Sequence, residues 1–179
     1  MAETALQPMT VAAFLDFDDG SDTRYELVGG APVAMNPPKG PHVEITTRLV
    51  VILARLLRGP CRPIVTGGVA HHEDDTTFRL PDLFVTCAPT PPSGLFDQPR
   101  LIVEVLSPST EREDRTARLD FYKTFASLQA ILFVWQDTRR LELHERAADA
   151  WIVKDLLGSG TMQLQDLAID LQMDEIYAP

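Results

Sequence analysis

The stretch LIVEVL at residues 101–106 decides the fold. It is a nearly continuous run of β-branched and other apolar residues, with one acid, Glu104, in its middle. Such a run is typical of a strand that is covered on both faces. The sequence therefore predicts that residues 101–106 form the central strand of a sheet.

Patterns on either side of that strand predict an α/β or α+β fold. Thr110 and Glu113 form a capping box that opens one long helix, and apolar residues at helical spacing predict another over residues 45–57. Gly29-Gly30 supplies the positive φ angles of a hairpin turn, and four prolines argue against a regular element over residues 88–99. Further strands are predicted at residues 64–71, 80–87, 131–135, 141–145 and 151–155. Together these patterns predict a single domain over residues 1–179, with a mixed β-sheet of six or seven strands flanked by two main helices.

Composition and charge narrow the function classes. The chain has 179 residues, 45% of them hydrophobic, and a formal net charge of −10, which is typical of a soluble globular protein and argues against a general phosphate-coating role. Neither a signal peptide nor an apolar run long enough to cross a membrane is present, so a cytoplasmic protein without a membrane partner is expected. Cys61 and Cys87 occur in no metal-ligand spacing, and neither a disulfide framework nor a zinc site is predicted.

Two acids interrupt adjacent apolar strands. Glu104 lies within LIVEVL, and Asp82 lies in LPDLFV at residues 80–85. Because burying an unpaired charge is costly, the pair indicates a shared cation or a catalytic carboxylate pair. The alternative is that each acid lies at a strand end, where it is solvated or paired with an arginine. Carboxylate oxygens suit Mg²⁺, with Mn²⁺ as an alternative, and such a site would support metal-assisted phosphodiester hydrolysis.

The order of these and other residues resembles the PD-(D/E)XK restriction-endonuclease-like superfamily, and more narrowly its branch of Uma-type restriction endonucleases. The resemblance runs from about Thr10 to the C-terminus, and its most specific stretch is Glu-Val-Leu-Ser-Pro-Ser at residues 104–109. The other residues that carry it are Tyr25, Glu26, Leu27, Gly30, His42, Pro81, Asp82, Thr110, Asp114, Arg118 and Tyr122. It implies a restriction-endonuclease-like core with a Mg²⁺ site.

The resemblance also implies a role for each matching residue. Asp82 and Glu104 would be metal ligands, assisted by the backbone carbonyl of Val105. Glu26 would be an upstream acidic member of the catalytic site, and a surface acid on the hairpin is the alternative. The residues expected on the substrate side are His42, Ser107 and Tyr122.

The sequence departs from the superfamily pattern at its basic residue. The expected lysine two positions after Glu104 is replaced by Leu106. The Uma-type branch instead has a lysine on the following helix, where this chain has Arg118. Arg118 can hold a scissile phosphate through two hydrogen bonds, but its guanidinium stays protonated and cannot act as a base.

The resemblance therefore implies a Mg²⁺-dependent endonuclease that acts on DNA as a homodimer. Two alternatives remain open from the sequence. One is a catalytically degenerate nuclease-fold module that acts in binding or interaction, which the missing lysine and the charge of −10 favour. The other is a metal-dependent phosphodiesterase that acts on small substrates.

Overall fold

The computed structural model describes residues 7–107 and 113–178, and the side chains of residues 113 and 114 fall outside this description. The described helices are α1 (Val11–Leu15), α2 (Gly40–Leu56), α3 (Glu113–Lys123) and α4 (Met173–Ile176). The described strands are β1 (Tyr25–Val28), β2 (Ala31–Ala34), β3 (Arg62–Val65), β4 (Gly68–Val69), β5 (Leu83–Thr86), β6 (Leu95–Phe96), β7 (Pro99–Leu106), β8 (Ala130–Trp135), β9 (Arg140–Ala147), β10 (Ala150–Leu157), β11 (Thr161–Leu164) and β12 (Ile169–Gln172).

These elements belong to two compact units. The first comprises Met1–Pro37, Gly67–Leu80 and Thr90–Asp97, and the second comprises Pro38–Thr66, Pro81–Pro89 and Gln98–Pro179. The assignment of residues 1–179 to a single domain stays a prediction.

The first unit is built around an antiparallel hairpin, β1–β2. Gly29 and Gly30 form its turn with φ angles of 57° and 81°, which confirms the predicted hairpin, because glycine adopts such angles without steric cost. A short parallel pair, β4–β6, lies in the same unit. Since β6 falls within residues 88–99 and β7 begins at Pro99, the expectation of no regular element there is wrong for three residues. The buried core of this unit includes Val11, Phe14, Leu27, Ala70, Phe78 and Leu95.

The second unit contains the main sheet, whose six strands lie in the order β10-β9-β8-β7-β5-β3. Strands β7 and β8 are parallel, and the other neighbouring strands are antiparallel. Strand β7 is inside the sheet, as the LIVEVL run predicts, and the predicted mixed sheet with two main helices is confirmed.

The alternation of side chains along β7 assigns the two helices to opposite faces of the sheet. Val103 and Val105 belong to a buried cluster that includes Ile45 and Leu49 of α2. Because successive strand residues point to opposite faces, Glu104 points away from α2. The helix on the side of Glu104 is α3, as the contacts of the candidate site show.

Several element boundaries differ from the sequence prediction. The strand expected over residues 64–71 is divided into β3 and β4, and Thr66 between them has a φ of 59°, which does not fit an extended strand. Strand β5 begins at Leu83, so Asp82 directly precedes the strand. The capping box at Thr110 lies outside the described residues.

Cys61 and Cys87 form a disulfide, so the expectation that the cysteines provide no disulfide framework is wrong. Strands β3 and β5 are antiparallel, and Arg62 pairs with Thr86. The next pair along this register is Cys61 and Cys87, whose Cα atoms are 3.9 Å apart. The two cysteines are brought together by the register of β3 and β5, and such a register produces no spacing motif in the sequence.

The longest described helix, α2, has 17 residues. In the parts of the chain that the structure covers, no helix combines the length and the apolar character needed to cross a membrane. The cytoplasmic location stays a prediction.

Candidate active site

Glu104 is buried in β7 and bonded to two side chains of α3. Its Oε1 accepts a 2.5 Å hydrogen bond from the hydroxyl of Tyr122 and lies 3.2 Å from Nη1 of Arg118. The same guanidinium nitrogen lies 3.3 Å from the Tyr122 oxygen. Tyr122 and Arg118 are four residues apart, so they share one face of the helix. This arrangement holds the Glu104 carboxylate in place from one side.

Asp82 is bonded at the end of the sheet where β5 begins. Its Oδ2 accepts a 2.7 Å hydrogen bond from the backbone N–H of Val105, and its Oδ1 lies 2.8 Å from Nε2 of His42. His42 belongs to the first turn of α2, which starts at Gly40. Asp82 therefore ties the start of β5 to both β7 and α2.

The register of β5 and β7 brings the two acids side by side. Leu83 pairs with Val103 in an antiparallel ladder, so the next position along that ladder places Asp82 opposite Glu104. The bond from Val105 to Asp82 confirms that Asp82 reaches the residue after Glu104. The predicted alternative describes part of this arrangement, since Glu104 is paired with an arginine. The neighbouring positions of the two acids are what the carboxylate-pair prediction requires.

Both acids raise the pKa of His42. Burial lowers the pKa of its imidazole, but the hydrogen bond and charge of Asp82, the charge of Glu104 and a hydrogen bond with the Val105 backbone raise it, and the net pKa lies above its ordinary value. The ring is thus bonded to the Asp82 carboxylate, which was predicted as a metal ligand. We call His42, Asp82, Glu104, Arg118 and Tyr122 the Glu104 cluster.

Two predicted substrate-side residues have contacts of their own. Tyr122 is completely buried, and its hydroxyl contacts Glu104 and Arg118. Ser107 is half-buried and directly follows β7. Contacts of Ser107, His42 and Tyr122 with a substrate stay predictions.

Glu26 lies in the first unit. It is buried in β1, where its carboxylate accepts hydrogen bonds from Nη1 of Arg79 at 2.9 Å and from the backbone N–H of Leu80 at 2.8 Å. The alternative of a surface acid on the hairpin is therefore wrong. A catalytic role for Glu26 stays a prediction.

A second polar cluster on the main sheet was not predicted from the sequence. Glu142 on β9 is buried and lies 3.1 Å from Arg115, 3.4 Å from Arg140 and 2.7 Å from Nε2 of His144. Burial lowers the pKa of His144, and Lys123 and Arg115 lower it further, against the opposing effect of Glu142. We call Arg115, Arg140, Glu142 and His144 the Glu142 cluster. Leu141 and Leu143 lie in the buried core, and this alternation was the signal that residues 142 and 144 share the other face of the sheet.

The donor set of the Glu104 cluster fits Mg²⁺ in its chemistry. Asp82, Glu104 and the Val105 carbonyl offer oxygen atoms, and Mg²⁺ binds to one or two carboxylates while it keeps several waters. Over residues 7–107 and 113–178, three or more His, Cys, Asp or Glu side chains never gather in an arrangement that could hold a metal. A Mg²⁺ ion here would consequently have few protein ligands, and the bonds of His42 and Arg118 to the acids would compete with it.

The architecture matches that of a solved protein. It matches a crystal structure described as "a putative nuclease belonging to DUF820" from Anabaena variabilis, with a TM-score of 0.75 over 96% of this chain and 98% of that chain. The two sequences are 17% identical, so this match shows the fold alone. The restriction-endonuclease-like fold class is confirmed.

The family follows from the sequence match. Residues 11–174 match the family model "Uma2: Putative restriction endonuclease", and the chain belongs to this family. Two proteins of Synechocystis sp. are similar to it. The uncharacterized protein slr1290 is 27% identical over 92% of this chain and 88% of its own length, and the uncharacterized protein sll1609 is 36% identical over 84% and 88%. The Uma-type resemblance is confirmed.

Proposed function

We propose that the chain is a Mg²⁺-dependent endonuclease that hydrolyses phosphodiester bonds of DNA, with Mn²⁺ as an alternative ion. The observation that carries the proposal is the juxtaposition of Asp82 and Glu104, which the antiparallel register of β5 and β7 produces. Membership in the Uma2 family supports the reaction class. A carboxylate among apolar residues is costly to a fold unless it is paired or binds a cation.

Each residue of the Glu104 cluster has a role in this proposal. Asp82, Glu104 and the Val105 carbonyl would hold the ion, which would activate water and offset the charge of the phosphate. His42 would orient Asp82, and Tyr122 would orient Glu104, through the bonds that these side chains already make. Arg118 would bind a phosphate oxygen. Because a guanidinium does not release its proton at neutral pH, Arg118 would act as a cation rather than as a base.

The proposal is tested by measuring ion binding and DNA cleavage on the same samples. We expect the native chain to bind Mg²⁺ and to nick a supercoiled plasmid with Mg²⁺ but not with EDTA. Asp82→Asn should lose both properties, because the variant lacks one of two carboxylates. Asp170→Asn, at an exposed position of β12, is the matched control and should keep both. Binding and cleavage that persist in Asp82→Asn would contradict the proposal.

A catalytically degenerate module is the second candidate. The observation that favours it is that the site already contains its own cations, since Arg118 contacts Glu104 and His42 contacts Asp82. The test is the single variant Arg118→Lys. Cleavage that this variant gains, while the native chain shows none, would identify a lapsed enzyme. Turnover of bis(p-nitrophenyl) phosphate without plasmid nicking would instead identify a phosphodiesterase of small substrates.

A further inference from the structure

Strand β10 is an exposed edge of the main sheet. It is eight residues long, and within the described residues it pairs only with β9. Its side chains Ile152, Val153 and Leu157 are 51%, 54% and 63% exposed. A long, exposed edge with apolar side chains is a template for another strand. The opposite edge, β3, has four residues including Pro63, which are the features that block such pairing.

The hydrogen-bond pattern identifies which backbone groups of β10 point outward. Gly158, which directly follows β10, donates its N–H to the carbonyl of Arg139, which directly precedes β9. Bonded and non-bonded residues alternate along an antiparallel pair, so residues 156, 154 and 152 also direct their backbone groups toward β9. The N–H and C=O groups of residues 151, 153, 155 and 157 therefore face the open edge.

We propose that two copies of the chain pair through β10, antiparallel, about a two-fold axis at Val153. In such a pairing each hydrogen-bonded pair joins two residues whose backbone groups face outward. The two-fold axis therefore passes between the two copies of one residue, and not between two successive residue positions. An axis at Lys154 or at Asp155 would place identical charges opposite each other. An axis at Val153 avoids both of these like-charge pairs, and residues 150–156 of one copy then pair with residues 150–156 of the other. The main sheets of the two copies then form one continuous sheet of twelve strands.

Charges on the face of β10 suit this register. Trp151 would lie opposite Asp155 of the partner subunit. Nζ of Lys123 is 5.7 Å from the centre of the Trp151 ring, and the guanidinium carbon of Arg146 is 4.6 Å from it. Positive charge therefore lies beside the position that the partner's Asp155 would take. Ile152 would lie opposite Lys154 of the partner subunit, against the aliphatic part of that side chain.

A cysteine crosslink tests the register. In the proposed dimer the two copies of residue 153 face each other with Cα atoms about 5.5 Å apart, which is within disulfide range. We expect Val153→Cys to give a crosslinked dimer on mild oxidation. Leu157→Cys is the matched control, because its two copies would lie about 27 Å apart along the strands. Crosslinking of Leu157→Cys with none in Val153→Cys would overturn the proposed axis.

The dimer itself is tested by light scattering during size-exclusion chromatography over a range of concentrations. The native chain should show a concentration-dependent dimer. Val153→Pro removes an N–H that only the partner uses, and Val153→Asp places two like charges at the axis, so each should raise the dissociation constant at least about tenfold. Val65→Asp on the other edge, where the valine is 43% exposed, should leave the dimer unchanged. A monomer at all concentrations, or a dimer that both Val153 variants leave unchanged, would overturn the proposal, and either result is independent of DNA cleavage.

Discussion

The main sheet contains two buried glutamates in one lateral row, and their surroundings differ in the balance of charge. Register pairs Glu104 on β7 with Phe133 on β8, and Phe133 with Glu142 on β9. Both glutamates bind arginines of α3 that are three residues apart, Arg118 and Arg115. Glu104 has a second acid beside it, whereas Glu142 is shared by several basic groups. The acid beside Glu104 adds negative charge that can attract a cation in competition with Arg118 and His42, whereas Glu142, with two arginines beside it, mainly holds α3 on the sheet.

The distance between the two glutamates keeps their clusters apart. They are two strands apart, which is about 10 Å between backbones. Phe133 between them is completely buried and separates the clusters with an apolar ring. A substitution in one cluster should therefore affect the other mainly through the position of α3, and the predictions below depend on this separation.

The largest effect is expected from the two arginines of α3 if the chain cleaves DNA. Arg118→Ala should lower the rate of plasmid nicking by about 10²–10³, because it removes the cation proposed to bind the phosphate. Arg115→Ala, three residues earlier on the same helix, should change the rate by less than about tenfold, since its contact is with Glu142. Equal losses in both variants would show that the two clusters act as one site.

Substitution of the two glutamates should affect the free energy of unfolding in the opposite order, with the larger loss in the Glu142 cluster. Glu142→Gln should lower it by about 2 kcal/mol, because Arg115 and Arg140 lose the charge that they share, and their partial exposure moderates the cost. Glu104→Gln should lower it by less, about 1 kcal/mol, since losing one acid relieves the repulsion from Asp82. Urea titration of both variants measures the difference. A larger loss for Glu104→Gln would reverse the assignment of the two clusters.

The smallest effect is a pH dependence of opposite sign for the two histidines. The raised pKa of His42 means that its stabilisation is fully present below about pH 6.5 and is lost as the pH rises through the folded pKa. The lowered pKa of His144 means that stability is lost as the pH falls from about 6.5 toward its folded pKa.

Urea titrations in EDTA between pH 5 and pH 8 check these signs. Relative to the native chain, His42→Gln should lose stability mainly at the acidic end, and His144→Gln should lose the acid-induced decrease. The variant His72→Gln, at an exposed position, is the control. If the free energy of unfolding depends on pH in the same way in all four proteins, the opposite signs predicted for the two histidines are wrong.

The central strand and its acid could be predicted because a charge inside an apolar run is a strong signal. Glu104 and Asp82 each interrupt such a run, and the two strands concerned, β7 and β5, are neighbours in the sheet as predicted. The Glu142 cluster gave no comparable signal, because strand β9 alternates polar and apolar residues as a strand with one solvent-facing side does. The contact of Glu142 with Arg115 depends on the position of α3 over that face.

Tertiary pairing explains the other differences between sequence and structure. The disulfide depends on the register of β3 and β5, and the burial of Glu26 depends on Arg79, which is 53 residues away in the chain. Neither the disulfide nor the contact between Glu26 and Arg79 produces a local pattern in the sequence. The division of the predicted strand at Thr66 likewise reflects the two units to which its halves belong.

The bond between Cys61 and Cys87 makes the chain sensitive to thiols in its surroundings. It closes a loop between residues 26 apart, and a crosslink of this span destabilises the unfolded chain by about 3.5 kcal/mol through lost conformational entropy. Glutathione or thioredoxin would remove that contribution, and β5, which begins next to Asp82, would then be held by backbone pairing and side-chain packing alone. The redox state of the compartment would thereby set how firmly one of the two acids is anchored.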